Sequence, residues 1–200
     1  MNETKLHILK KAFVLFLKKN FKEVTMKEIV EITGLSKGAF YYYFESKEQL
    51  FHEVINMFYI SLQTEVFSSI EYNSLKDFYT NYLKKLTGML ESLSETTKIS
   101  DNDVNYLGLA FDAIRLVPGY REQIKQSHQA EQTQWENVIK KARENGEIES
   151  PMTDEHLARL FIYINDGVGM HLILEGRVGD IIGEIFSLYN DLYQQLLPKK

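Results

Sequence analysis

Between residues 36 and 47 the chain gathers a cation, small side chains and phenols: Ser36, Lys37, Gly38, Ala39, then Tyr41, Tyr42 and Tyr43, and after Phe44 a second cation, Lys47. These groups offer hydrogen bonds and positive charge, which is the chemistry of holding a polyanion. Lys37 can donate to guanine O6 and N7 or to a phosphate, and the Ala39 methyl can meet a thymine methyl. Gly38 lets a backbone come close, and phenols can reach the phosphates beside a groove. Three consecutive phenols do not suit a buried helix, where each hydroxyl needs a partner. So many rings do not suit a plain solvent-facing helix either. A helix that presses its small first residues into a DNA groove accounts for both.

The elements that must position these groups lie in residues 25 to 51. Thr25 can cap a helix with Glu28 reaching back, a capping box. Met26, Ile29, Val30 and Thr33 share one face by helical spacing. Gly34 comes next, where a left-handed residue is usually needed. Leu35 anchors the turn, and Ser36 caps a second helix from Lys37 to about Phe44. Ser46 with Gln49 forms a further capping box. Helix, short glycine-containing turn, helix is the helix-turn-helix spacing. On spacing alone, an ordinary αα-hairpin with a wet aromatic patch remains open.

At these residues the chain resembles the TetR family of bacterial transcriptional regulators. The carriers are Thr25, Gly34-Leu35-Ser36, Gly38-Ala39-Phe40-Tyr41, Phe44 and Lys47. The match runs from about residue 6 to 51; the rest corresponds in length and helical layout only. The resemblance implies an all-α fold: a three-helix helix-turn-helix DNA-binding head, residues 1–46, and a six-helix ligand-binding and dimerisation body, residues 47–200. It implies base or phosphate contacts from Tyr41 and Tyr42, a phosphate contact from Lys47, and contacts from Thr25 and Lys27. With Ser36, Lys37, Gly38 and Ala39 these complete the expected DNA site. Phe40 and Phe44 are expected in the core. The phenol run departs from the family pattern and leaves open which ring faces the groove. The implied function is a ligand-responsive regulator, a repressor that binds a near-palindromic operator as a homodimer and is released by a small molecule. The alternative is a helical protein-interaction adaptor with a non-functional head.

Composition agrees with a globular chain: 44% apolar and 26% charged residues. The absence of cysteine excludes disulfides and thiolate metal sites, which fits a reducing cytoplasm. No apolar run approaches the roughly 20 residues of a membrane span, so no membrane partner is expected. The stretch 12–17, AFVLFL, is too short for a signal peptide and lacks a cleavage site. The net charge of −5 is unevenly divided. Residues 1–50 hold nine lysines and six acids, giving +3; residues 51–200 hold fourteen bases and twenty-two acids, giving −8. A basic head on an acidic body is the asymmetry a DNA reader would show.

About nine helices are expected and no strand. The first runs from Glu3 to Lys19 with Leu9, Ala12, Phe13 and Phe16 inward, and Phe21 and Val24 continue its contact. From Lys47 a connector of 24 residues runs without Gly or Pro. Further helices are expected from Ser74 to about Leu93, Val104 to Val117, Tyr120 to Asn145, Asp154 to Glu175 and Asp180 to Leu197, with a loop at 94–103. The last two are apolar on more than one side. One side can face the chain's own core and the other a second copy. The resemblance agrees, which places Phe161, Ile164, Val168, Leu172, Ile185, Leu188, Tyr189, Leu192 and Leu196 in a dimer interface.

Gly88, Gly108, Gly167 and Gly169 interrupt helical patterns, where each costs about 1 kcal/mol against Ala. Such glycines mark close helix approach or room for a ligand. Near them stand Tyr82, Met89, Tyr106, Phe111, Arg115, Trp135, Asp166 and His171, an outline suited to an aromatic or lipid-like effector. Asp166 can hold a cation or pair with Arg115. Core aromatics and a satisfied salt bridge explain each residue equally well. No histidine pair has metal-ligand spacing, and no nucleophile motif occurs, so neither catalysis, metal nor cofactor is expected.

Overall fold

The computed structural model describes residues 2–57, 70–97 and 105–199, with backbone alone for 92–97. All its regular structure is helical: α1 (Glu3–Lys18), α2 (Met26–Thr33), α3 (Lys37–Tyr41), α4 (Lys47–Ile55), α5 (Leu75–Thr97), α6 (Tyr106–Leu116), α7 (Tyr120–Glu144), α8 (Asp154–Leu174) and α9 (Ile181–Leu196), with a 3-10 turn at Val178–Asp180. Residues 58–69 of the expected connector and residues 98–104 lie outside the described residues. Helix α5 runs to Thr97, into the stretch expected to be a loop.

The helices form two compact units, one of residues 1–63 and 92–124, the other of 64–91 and 125–200. The first holds α1 to α4 and α6. Its core joins the inward face of α1 (Ile8, Leu9, Ala12, Phe13, Phe16, Leu17) to Ile29, Phe40, Phe44, Leu50, Phe51 and Val54. Phe16, Phe21 and Phe51 meet at centroid distances of 4.9 to 6.0 Å. Residue 46, where the sequence divides head from body, falls inside this unit. Its packing continues into α6 through Leu109 and Ala113.

Local chemistry sets the helix ends of the head. The Thr25 hydroxyl accepts the Glu28 N–H while the Glu28 carboxylate accepts the Thr25 N–H, the complete capping box. Gly34 adopts φ +68° at the end of α2, a conformation that costs a side-chain-bearing residue about 1–2 kcal/mol. Ser36 and Ser46 cap α3 and α4 through the N–H groups of Ala39 and Gln49. The second half of the expected box at Ser46 is not made. The Gln49 amide oxygen accepts from the Glu45 N–H instead.

A buried carboxylate fastens α6 to the end of α1. Asp112 Oδ2 accepts the Phe21 N–H at 2.7 Å and Oδ1 accepts from Arg115 at 2.6 Å. His52 on α4 adds a hydrogen bond to the Leu116 carbonyl, 2.8 Å.

The second unit is built on rings. Trp135 of α7 stacks on Phe161 of α8 at 4.8 Å and 12°, and Phe78, Tyr82 and Tyr189 surround it edge-on. Tyr189 on α9 donates to the Phe161 carbonyl at 2.8 Å. Glu147 receives the Leu75 N–H at the start of α5, where a carboxylate suits the helix dipole. It also accepts from the Tyr193 hydroxyl at 3.1 Å, and burial with that bond pushes the phenol up to about 12. Among the described residues, α8 alone is long and apolar enough to cross a membrane. Its Leu157, Ala158, Phe161 and Leu172 are nonetheless buried against this unit's other helices.

Asp112→Ala leaves the buried Phe21 N–H without an acceptor. It is expected to destabilise the chain by about 1–3 kcal/mol, read as a lower midpoint in urea unfolding.

Candidate nucleic-acid interface and effector site

Helix α3 divides its rings between inside and outside. Phe40 and Phe44 are fully buried, Tyr43 is half-buried against the core, Tyr41 is partly exposed and Tyr42 is 83% exposed. The outward ring in the run is therefore Tyr42. The helix is shorter than its pattern predicts, stopping at Tyr41. Its last turn tightens because the Tyr43 N–H bonds the Phe40 carbonyl at 2.9 Å, which brings Phe44 round to the core.

Ser36, Lys37, Gly38 and Ala39, which precede Tyr42 in the chain, are all exposed, and so are Thr25 and Lys27 at the start of α2. Lys37 Nζ lies 5.9 Å from the Tyr41 ring centroid. A side-chain carbon built on Gly38 meets nothing within 4 Å, so nothing inside the protein requires a glycine there. Glu28, flanking this face, is tied to Lys19 at 2.6 Å. That bond, with those from Thr25, holds its carboxyl down to about 2.

Lys47 does not join this face as the sequence suggests. Its ammonium donates to the Phe21 and Val24 carbonyls, both at 2.7 Å, and sits 4.2 Å from the Phe21 ring centroid. Two of its three donors serve the loop between α1 and α2, so its role is to hold that loop. The phosphate assignment is corrected accordingly.

The sequence profile of tetR-family bacterial regulatory proteins matches residues 8–54, the part of the chain that builds this face. The match makes residues 8–54 a TetR-family DNA-binding region. It is 26% identical over 161 residues to the HTH-type transcriptional regulator YfiR of Bacillus subtilis, covering 80% of this chain and 76% of that one. A second Bacillus subtilis regulator, YerO, is 42% identical over 71 residues, 36% of this chain and 24% of its own. Among solved structures, NalD, the secondary repressor of the MexAB-OprM multidrug efflux pump in Pseudomonas aeruginosa, shares the fold. It does so with TM-score 0.66 and 17% identity over 99% of this chain and 98% of its own. A TetR-family regulator from Cytophaga hutchinsonii does so at TM-score 0.66, 17% identity and coverage of 100% and 99%. With that region the chain is a DNA-binding transcriptional regulator and not an enzyme.

The candidate effector residues of this chain scatter. Tyr106, Phe111 and Arg115 belong to the first unit, where Phe111 is exposed and Arg115 pairs with Asp112 at 2.6 Å, not with Asp166. His171 is exposed and pairs with Glu175 at 3.1 Å. In the second unit Tyr82 and Trp135 are buried and Met89 is half-buried. Asp166 is exposed by area, yet burial is the main influence raising its carboxyl, opposed by Asn165 and His128. Facing the same charges is Glu131 on α7, which sequence reasoning misses. Burial, then Asp166, pushes it up to about 7. Its position one helical turn before Trp135 is the available signal. Gly88, Gly167 and Gly169 do not mark tight helix approach, since an added side-chain carbon there meets open space. Gly108 is the exception, where one would strike the Asn105 side chain that caps α6.

The expected dimer interface also needs correction. Phe161, Ile185 and Tyr189 are wholly buried in the chain's own second unit, and Leu172 and Leu196 nearly so; they have no surface to give a partner. Ile164, Val168 and Leu192 are partly exposed and Leu188 is exposed. Tyr163, Met170, Leu174 and Phe186 are exposed on the same two helices.

Gly38→Ala is expected to raise stability by up to about 1 kcal/mol, by helix propensity, while weakening DNA binding through the lost backbone approach. Lys47→Ala strands two carbonyls and should lower the melting temperature by several degrees before any DNA is added. Paired thermal melts and DNA titrations separate the two. The Glu131 carboxyl carries a second expectation. Folded, it binds a proton that the unfolded chain releases from about 4.5 upward. Its stabilisation is full below that pH and is lost as pH rises through about 7. Melts across this range should show the fall, and Glu131→Gln should flatten it.

Proposed function

We propose that the chain is a repressor that binds a near-palindromic operator as a homodimer and leaves it when a small molecule occupies the body. Residues 1–46 read the DNA and residues 47–200 sense and dimerise, acting in the cytoplasm where the operator lies. The observation that carries the DNA reading is the sorting of α3: both phenylalanines inward, with Lys37, Gly38, Ala39 and Tyr42 left outward, as are Thr25 and Lys27. Small residues first and long donors after them fit a helix entering a major groove, bases met by its first turn and phosphates by its flanks.

The dimer reading rests on what α8 and α9 leave uncovered. Tyr163, Met170, Leu174, Phe186 and Leu188 expose large apolar surface. Between them Gly167, Gly169 and Gly183 have open space where a side chain would be, so a second backbone can come close. Two copies related by a two-fold axis bury such a surface once and present two heads to one face of a duplex.

The experiment is a gel shift with DNA from upstream of the chain's own gene, scanned from 50 to 200 mM salt. Binding should weaken steeply, and Lys37→Ala should reduce the logarithmic salt slope by about one phosphate's worth. Met170→Glu combined with Leu188→Glu should give a folded monomer by light scattering that no longer shifts the fragment. A helical adaptor would leave every duplex unshifted and keep its oligomeric state.

A further inference from the structure

Glu131 and Asp166 bring two carboxyls to one part of the second unit, and no Lys or Arg among the described residues pairs with either. The groups packed around them are aromatic. Trp135, one turn from Glu131 on α7, stacks on Phe161 and has the Tyr82 and Tyr189 rings at 6.0 and 5.7 Å. Both tyrosines feel the charge of both acids, which places all four groups in one cluster.

Two polar atoms in the cluster are buried without a partner. They are Nε1 of the fully buried Trp135 and Oδ1 of Asn165, the neighbour of Asp166. Asn165 lies one turn after Phe161 on α8, and its amide reaches the Asp166 carboxylate at 3.4 Å. An unpartnered buried donor or acceptor costs about 1–3 kcal/mol, and native chains rarely keep one that nothing satisfies. Here the acceptor asks for an N–H donor, the indole asks for an acceptor, and two carboxyls ask for positive charge.

We propose that the effector is an amphipathic organic cation, its protonated nitrogen held between Glu131 and Asp166 and its ring-bearing apolar part against Trp135 and Tyr82. This rests on the effector-responsive reading above and names the ligand class of that body. A cation supplies what both acids lack, gives the Asn165 oxygen a donor, and gains attraction from ring faces within about 6 Å. A neutral ligand of the same shape leaves both carboxyls unpaired, and an anion meets two like charges. The site is also tuned to refuse a cation in acid. With Glu131 near 7, its carboxyl holds a proton below neutrality and releases it above, and burial shifts Asp166 upward as well. His128 lies near enough to Asp166 to oppose the rise of its carboxyl, and Tyr82 and Tyr189 are shifted upward and stay neutral.

Trp135 is the single tryptophan of the chain, so its emission reports the site directly. The test titrates the full chain with 4-phenylbutylamine, 4-phenylbutanol and 4-phenylbutyrate at pH 8 and pH 5.5. The amine should bind about tenfold tighter than the alcohol at pH 8, a difference of about 1.4 kcal/mol. The acid should bind weakest, and the amine's advantage should shrink at pH 5.5. Glu131→Gln and Asp166→Asn should each remove most of that advantage and leave the alcohol unchanged. The three-probe comparison on the unaltered chain stands even where a variant fails to fold. Equal or tighter binding of the alcohol or the acid overturns the proposal. So does an amine preference unmoved in both folded amide variants, or emission indifferent to all three probes at millimolar concentration. Operator binding without probe, measured on the same preparation, keeps the two readings apart. Intact DNA binding with no cation preference removes only the ligand class, while a cation preference with no DNA binding removes only the repressor.

Discussion

The geometry of the DNA-reading head depends on how one loop is held. Residues 21 to 24 join α1 to α2, and their backbone is gripped from two directions. The Asp112 carboxylate takes the Phe21 N–H from α6, and the Lys47 ammonium takes the Phe21 and Val24 carbonyls from α4. Charged partners make these bonds about twice as strong as neutral ones. Phe21 and Val24 are themselves buried, so the loop is fixed by packing as well. The loop leads directly into the capping box of α2, and α2 leads into α3. A shift of the loop therefore moves the element that carries Lys37 and Tyr42.

That arrangement gives the first unit its functional sense. Helix α6 lies in sequence beyond the head and yet shares the head's core through Leu109, Ala113 and Val117. Its Asp112 is the only buried acid among the described residues, and it is satisfied by Arg115 and the Phe21 N–H together. A displacement of α6 breaks a charged hydrogen bond or carries the loop with it. Either outcome alters the hold on α2 and α3. The His52 contact to the Leu116 carbonyl ties α4 to the same helix, so α4 and α6 cannot move independently without losing it.

Much of the head is legible in the sequence because its determinants are local. Thr25 with Glu28, Gly34 at φ +68° and Ser36 before α3 act within a turn of themselves, and the pattern of Phe40 and Phe44 states their burial. Lys47 misleads because its partners lie 23 and 26 residues away, and a cation near a recognition helix looks like a phosphate ligand until the carbonyls are seen. The apolar stripes of α8 and α9 show that more than one side is apolar, but not what each side meets. Phe161 and Tyr189 face rings of their own unit, and periodicity cannot tell that partner from a second copy. Glu131 escapes notice because α7 is polar along most of its length, and one more acid among glutamines carries no pattern.

The two units place opposite electrostatic demands on one chain. The head keeps Lys27 and Lys37 outward. The body keeps two carboxyls that burial shifts upward, and no Lys or Arg among the described residues forms an ion pair with either. Pairing them internally would be easy for a chain with twenty-three Lys and Arg residues. A carboxyl held protonated near neutral pH gives up part of its stabilising role as pH rises, and folding alone gains nothing from such an arrangement. Sites that store this kind of electrostatic strain are those where a ligand's arrival releases it. The free energy released by a bound cation can then favour the conformation in which the acids sit closest to it. A ligand shifts an equilibrium only by its difference in affinity between the two states. An unpaired acid whose surroundings change with the helices around it is a direct source of that difference.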